Sequence, residues 1–223
     1  MSIPGYLLVI GHSINGEIMA GYSKVLPPIY EKFGGFYLGL GAPGQGVEHL
    51  EGDWFDHSLM LARFNKPDDV TGFWYSPEYE DAKKLREGGG DFNVFKLDGT
   101  EHEAPLGDPV FLISFYRIKD ESAYASCARA EEEKLRQHDA NYLTRTSADQ
   151  AKRLEGDLTD QNFNVIVFPS ENLAKSFWND LLKYFQVGPR CYFRYDTTIF
   201  LMFPLFCNNL TVFFRNSSNF SYV

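Results

Sequence analysis

Cysteine is scarce in this 223-residue chain, basic residues are outnumbered by acidic ones, and no apolar run is long. Its three cysteines (Cys127, Cys191 and Cys207) are odd in number, widely spaced and never in a CxxC pair. That excludes a disulfide framework read from spacing and suits free thiols in a reducing cytosol. With 21 Lys and Arg against 30 Asp and Glu, the formal charge is −9, the wrong sign for sequence-independent nucleic-acid binding or an anionic membrane. No stretch approaches the roughly 20 apolar residues that span a bilayer. The nearest, 199–214, is interrupted by Pro204 and by Asn208 and Asn209. The N-terminus has neither the basic start nor the apolar length of a secretory signal, so the expected compartment is the cytoplasm. The sequons at Asn209, Asn216 and Asn219 then carry no weight. Five histidines offer no HExxH or similar ligand spacing, so neither a metal nor a cofactor is expected.

What is present is a duplication, the first thing to seek in a sequence of this length. Leu50-Glu51-Gly52-Asp53 recurs as Leu154-Glu155-Gly156-Asp157, 104 residues on. Phe64 and Phe168 keep that offset, as do Phe73-Trp74 and Phe177-Trp178. Tyr22 pairs with Tyr124 at a slightly shorter one. A constant offset that also aligns a tryptophan is hard to reach by chance.

Each copy gives the same order of elements. In the first, residues 6–10 form a short apolar run suited to a buried strand. Ile18, Tyr22, Val25, Ile29 and Phe33 follow at helical spacing, stopped by Gly34-Gly35. Pro27-Pro28 predicts a kink or a split there. Strands are expected at 36–40 and 59–64, a helix at 70–75, a fresh helix capped by Ser76 with Pro77 at its first position, and a last strand at 92–97. The second copy repeats this with 110–115, 124–138, 141–146, 164–168, 173–184 and 191–195. The Glu131-Glu132-Glu133 run reads as a solvated helix face, and Cys127 as a small core residue on the same helix.

The expected fold is therefore α+β: two tandem ferredoxin-like βαββαβ domains. Each would bear helices on one sheet face, and packing sheet to sheet would bury the other in an intramolecular dimeric α/β barrel. The boundaries read as 1–99, 108–196 and an apolar tail, 197–223, with Arg215 as its one charge among seven aromatics. The tail reads as an extra strand or an extension on the barrel rim.

The first copy resembles a known family. Tyr22, Pro27-Pro28, Phe33-Gly34-Gly35, then Leu50-Glu51-Gly52-Asp53-Trp54, then Phe73-Trp74-Tyr75-Ser76-Pro77-Glu78-Tyr79 look like the uncharacterised family named domain of unknown function 1330. The resemblance implies the dimeric α+β barrel superfamily, whose members include cofactor-free monooxygenases, isomerases and haem proteins. It implies architecture and leaves the reaction open. The second copy matches more weakly: Leu158 stands where Trp54 does, and Asn179 where Tyr75 does. Any ligand site is thus expected in the first copy.

Candidate chemistry is sparse. Gly39 to Gly44 spells GxGxxG, but a dinucleotide site needs a helix opening there, and Pro43 removes an amide donor. His12, at the end of the first strand, is a candidate general base or else an exposed loop residue. Asp53 could orient it, although repetition of Glu51 and Asp53 as Glu155 and Asp157 argues for a structural duty such as a turn or a contact between copies. Tyr22, Trp54, Trp74 and Tyr75 are candidate pocket aromatics, with Trp74 suited equally to the core. Arg63 could hold a ligand carboxylate or pair with a neighbouring acid. The expected function is a small-molecule-binding protein or cofactor-free enzyme of oxygenase or isomerase type, with a small apolar or aromatic molecule as partner. The alternative is a structural or interaction protein whose cleft is filled by its own side chains.

Overall fold

The computed structural model describes residues 2–187 and 197–204. The first half runs β1 (Gly5–His12), α1 (Gly16–Lys32), β2 (Gly35–Pro43), β3 (Gly46–Glu51), β4 (Ser58–Phe64), α2 (Pro67–Trp74), α3 (Pro77–Lys84) and β5 (Asp91–Asp98). The second runs β6 (Val110–Tyr116), α4 (Glu121–Gln137), β7 (Asn141–Thr146), β8 (Lys152–Glu155), β9 (Asn162–Phe168), α5 (Glu171–Val187) and β10 (Thr197–Met202). All ten strands among the described residues join one curled sheet in the order β7-β9-β6-β10-β3-β2-β4-β1-β5-β8. Within it, β2-β4-β1-β5 and β7-β9-β6-β10 repeat the same strand order.

Local sequence explains the helices. Asn15 caps α1, its side-chain oxygen accepting from the amides of Glu17 and Ile18 at 3.1 and 3.3 Å. Ser76 caps α3 as expected, accepting from the Tyr79 amide at 3.2 Å. Pro27 and Pro28 do not split α1, which runs unbroken through both. Each lies on the exposed side of the helix.

Three cores follow from strand alternation. The inner faces of both halves share one, in which Tyr6, Leu8 and Ile10 of β1 meet Phe111, Ile113 and Phe163. The outer face of the first half packs under α1, α2 and α3, with Leu7, Phe64, Phe73 and Trp74 at its centre. The outer face of the second packs under α4 and α5.

Several expectations change. Residues 197–202, read as an extra strand or a rim extension, do form a strand, β10, but it lies within the sheet, paired with β6 on one side and β3 on the other, rather than on the rim. The strand expected at 191–195 and the tail beyond 204 lie outside the described residues. β3 and β8 are additional strands, and each pairs with the last strand of the opposite half. Glu131 is buried at 4% exposure, on the same α4 face as Cys127, Ala128 and Leu135, rather than solvated with Glu132 and Glu133. Cys127 is disulfide-bonded, so the free-thiol argument for a reducing compartment does not extend to it. No described helix is long and apolar enough to cross a membrane.

Candidate functional site

Between α1, α3 and the outer face of the first-half sheet lies a partly open cavity of about 80 Å3. Val9, Met19, Leu26, Leu40, Met60 and Phe92 give it an apolar wall. Four phenols interrupt that wall: Tyr22, Tyr30, Tyr37 and Tyr79. Tyr22 and Tyr79 join hydroxyl to hydroxyl at 2.9 Å, and the Tyr30 and Tyr37 rings lie 4.6 Å apart. Burial pushes all four phenols above their ordinary pKa, so they stay neutral hydrogen-bonding groups.

One charged side chain reaches this wall. Arg86, just beyond α3, lines the cavity with its guanidinium 4.6 Å from the Phe92 ring and 5.8 Å from the Tyr22 ring. It donates through both terminal nitrogens to both carboxylate oxygens of Glu155, at 2.8 and 2.5 Å. Glu155 belongs to the second half and arrives on β8, opposite Val94 of β5. Behind it, Gly156 turns at φ +88° so tightly that an added Cβ would fall 2.3 Å from the Asn93 side-chain oxygen. That oxygen accepts from the Asp157 and Leu158 amides at 3.1 and 2.8 Å. The first-half motif makes the mirrored approach: Glu51 is opposite Ile199 of β10, and Gly52 turns at φ +97° against Thr197. The repeated Leu-Glu-Gly-Asp is thus the arm by which each half grips the other.

A second cluster lies on the other face of the sheet. Alternation along β1 turns Val9 and Gly11 to the cavity, and Ile10 and His12 away from it. His12 donates from Nε2 to Asp56 at 3.0 Å, while its Nδ1 accepts from Ser13 at 2.9 Å. His57 donates from Nδ1 to the other Asp56 oxygen at 2.9 Å. The His57 ring stacks 4.8 Å from His12 and 4.6 Å from Trp54, and Trp54 rests 5.0 Å from Phe115 of the second half. Burial lowers the His57 pKa below its ordinary 6.5, and Asp56 only partly offsets that. For Asp56, burial acts upward, but the two imidazole hydrogen bonds prevail and hold its carboxyl low. The folded protein therefore takes up the His57 proton at lower pH than the unfolded chain. This site's contribution to stability is at its fullest above pH 6.5 and is eroded as pH falls through the folded pKa. An NMR titration of the His57 ring should give a midpoint below 6.5; a midpoint at or above it would contradict this assignment.

The structure does not gather the seven residues singled out from sequence into one pocket. Tyr22 lines the cavity. His12 and Trp54 share the cluster on the opposite face, where Asp56 rather than Asp53 holds the imidazole. Asp53 is exposed and makes no side-chain hydrogen bond or ion pair among the described residues. Arg63 donates to Glu103 at 2.6 Å. Trp74 is buried under Lys83, and Tyr75, 57% exposed, lies beneath Lys152 of the second half. Arg86, Asp56 and His57 were missed, because a lone arginine after a helix and an Asp-His pair in a loop carry no local signature. Among the described residues no group of three or more His, Cys, Asp or Glu is placed to hold a metal ion.

The profile of one protein family, the domain of unknown function DUF1330, matches residues 4–100 and again 109–184. The chain belongs to the DUF1330 family. Two tandem matches across most of its length agree with the repeated strand order. No curated protein sequence matches this DUF1330 chain. Solved structures do. A mutant chlorite dismutase from Candidatus Nitrospira defluvii, in complex with cyanide, superposes with a TM-score of 0.53 at 7% identity, covering 96% of this chain and 94% of that one. A candidate monooxygenase from Lactobacillus acidophilus NCFM gives 0.50 at 10% identity, over 91% and 94%. An anthrone oxidase-like protein gives 0.50 at 7% identity, over 92% of each chain. At such identities the likeness is one of fold, the dimeric α+β barrel.

Proposed function

We propose that this DUF1330 chain binds a small, largely apolar molecule in the cavity beneath α1. We read the chain as two tandem ferredoxin-like domains packed sheet to sheet, with the ligand held by the first. The observation that carries the reading is the hydrogen-bonded Tyr22–Tyr79 pair set in an otherwise apolar wall. Ligand sites combine such walls with a few convergent polar groups. The cavity has roughly half the volume of one that takes up benzene, about 150 Å3. Its ligand is therefore small, or seats one end of itself inside and leaves the rest at the opening. A haem does not fit, because a cavity of about 80 Å3 is too small for a macrocycle.

An oxygenase or isomerase chemistry is the finer form of this proposal, supported by the monooxygenase and anthrone oxidase-like folds. Fold alone does not carry it. Neither imidazole nor carboxylate lines the cavity, and the His12–Asp56–His57 cluster faces away from it. Binding is thus the reading that the geometry supports best.

Phenol, acetophenone and benzoate, followed by thermal unfolding, test it. At one hundred times its Kd a bound probe adds about 2.7 kcal/mol, which for a chain of this size raises Tm by about 5–10 °C. At least one probe should do so with the native chain and fail with Leu26→Trp, which fills the cavity from α1. No rise with any probe, or an equal rise in the filled variant, would end this reading.

A further inference from the structure

Glu155 lies in the second half, yet its carboxylate pairs with Arg86, the charged side chain that lines the first half's cavity. We propose that Glu155 sets the ligand class of that cavity, selecting neutral molecules with a carbonyl or phenolic oxygen over carboxylates. The proposal rests on the binding reading above and adds to it what the cavity accepts.

The argument begins with the guanidinium. An unpaired arginine on an apolar wall would be a carboxylate anchor. Here both terminal nitrogens already meet both Glu155 oxygens, so the planar fork that a ligand carboxylate would use is occupied. A second carboxylate must either displace Glu155, exchanging like for like, or sit beside it as an uncompensated anion in a poorly solvated site. What remains at this wall is neutral. In the Tyr22–Tyr79 pair one hydroxyl donates to the other, and the acceptor's own proton is left over. Neutral phenolic donors among apolar side chains, with no free cation beside them, suit a carbonyl or phenol oxygen.

Glu155 is held for this duty by more than its salt bridge. Pairing of β8 with β5 sets its register opposite Val94, and the close approach of Gly156 to Asn93 fixes the chain immediately after it. Arg86 has a 9% exposed side chain and Glu155 a 32% exposed one, so Glu155 also shields the cation from water. It is a positioning residue, acting on the ligand through Arg86.

The test measures binding of phenol, benzoate and benzylamine to the native chain and to two variants by titration calorimetry. In the native chain phenol binds at least about tenfold more tightly than either charged probe. Glu155→Gln keeps the shape and unmasks the cation, so benzoate gains about tenfold or more while phenol changes little. Arg86→Gln unmasks the carboxylate instead, so benzylamine gains and benzoate does not. If one variant fails to fold, the other still decides, because the two shifts are opposite in sign. Phenol binding with no switch in charge preference in a folded variant would overturn the proposal and leave the binding reading intact, as would benzoate matching phenol in the native chain. Failure of all three probes on the native chain would remove the binding reading, and this proposal with it.

Discussion

Replacing Phe163 by alanine is expected to cost about 3–5 kcal/mol, lowering Tm by on the order of 10 °C, in one cooperative transition. Phe163 is fully buried on β9 of the second half, yet its nearest aromatic neighbour is Phe95 of the first, at 4.5 Å. Phe115 of its own half lies farther off, at 6.3 Å. A ring removed here leaves a cavity in a core that both halves line, and the halves cannot relax into it independently. Units of about 100 residues bury a modest share of their surface alone. Splitting this pair would expose Tyr6, Leu8, Ile113 and Val165 together. Denaturant unfolding followed by tryptophan fluorescence reads both halves, since Trp54 and Trp74 lie in the first and Trp178 in the second. Two separated transitions, or a loss under about 1 kcal/mol, would contradict a shared core.

The share of this architecture legible in the sequence follows from which interactions are local. Residues 6–10, 59–64 and 110–115 read as strands because a two-sided core makes each a mostly apolar run, broken only by Arg63 and Ser114, and β1, β4 and β6 lie there. Ser76-Pro77 marked the start of α3 because capping is decided within four residues. β3 and β8 were not legible. Glu48, His49, Lys152 and Arg153 alternate with few apolar residues, and the pairing that makes them strands comes from the opposite half. For the same reason the segment at 197–202 read as an extra strand or a rim extension and not as a strand within the sheet, since its partners β6 and β3 are distant in sequence. The site divides in the same way. Tyr22 was legible from its helical spacing and its place in the family motif, whereas Arg86 and Glu155 stand 69 residues apart and His12 and Asp56 stand 44 apart. The Leu-Glu-Gly-Asp repeat announced that something was shared between the copies, and the fold shows it to be the grip between them.

That grip makes Gly156→Ala the second large effect, at about 3 kcal/mol or more, from two separable causes. The first is backbone conformation: at φ +88° a side chain costs about 1–2 kcal/mol wherever it points. The second is space. A Cβ would lie 2.3 Å from the Asn93 oxygen and 2.5 Å from the Phe92 carbonyl oxygen, closer than atoms can approach. The chain must move away from β5, straining the two hydrogen bonds that the Asp157 and Leu158 amides donate to Asn93, each worth about 1 kcal/mol. Gly44→Ala isolates the first cause, because Gly44 has φ +74° and nothing within 4 Å of an added Cβ. It should lose only about 1 kcal/mol in the same denaturation experiment. Equal losses at both positions would mean that conformation alone requires these glycines. The larger loss at Gly156 would show that the recurrent glycine serves the close crossing of one half over the other. Because Glu155 is its chain neighbour, the same displacement should loosen the pairing with Arg86, linking the hold between halves to the charge balance of the cavity.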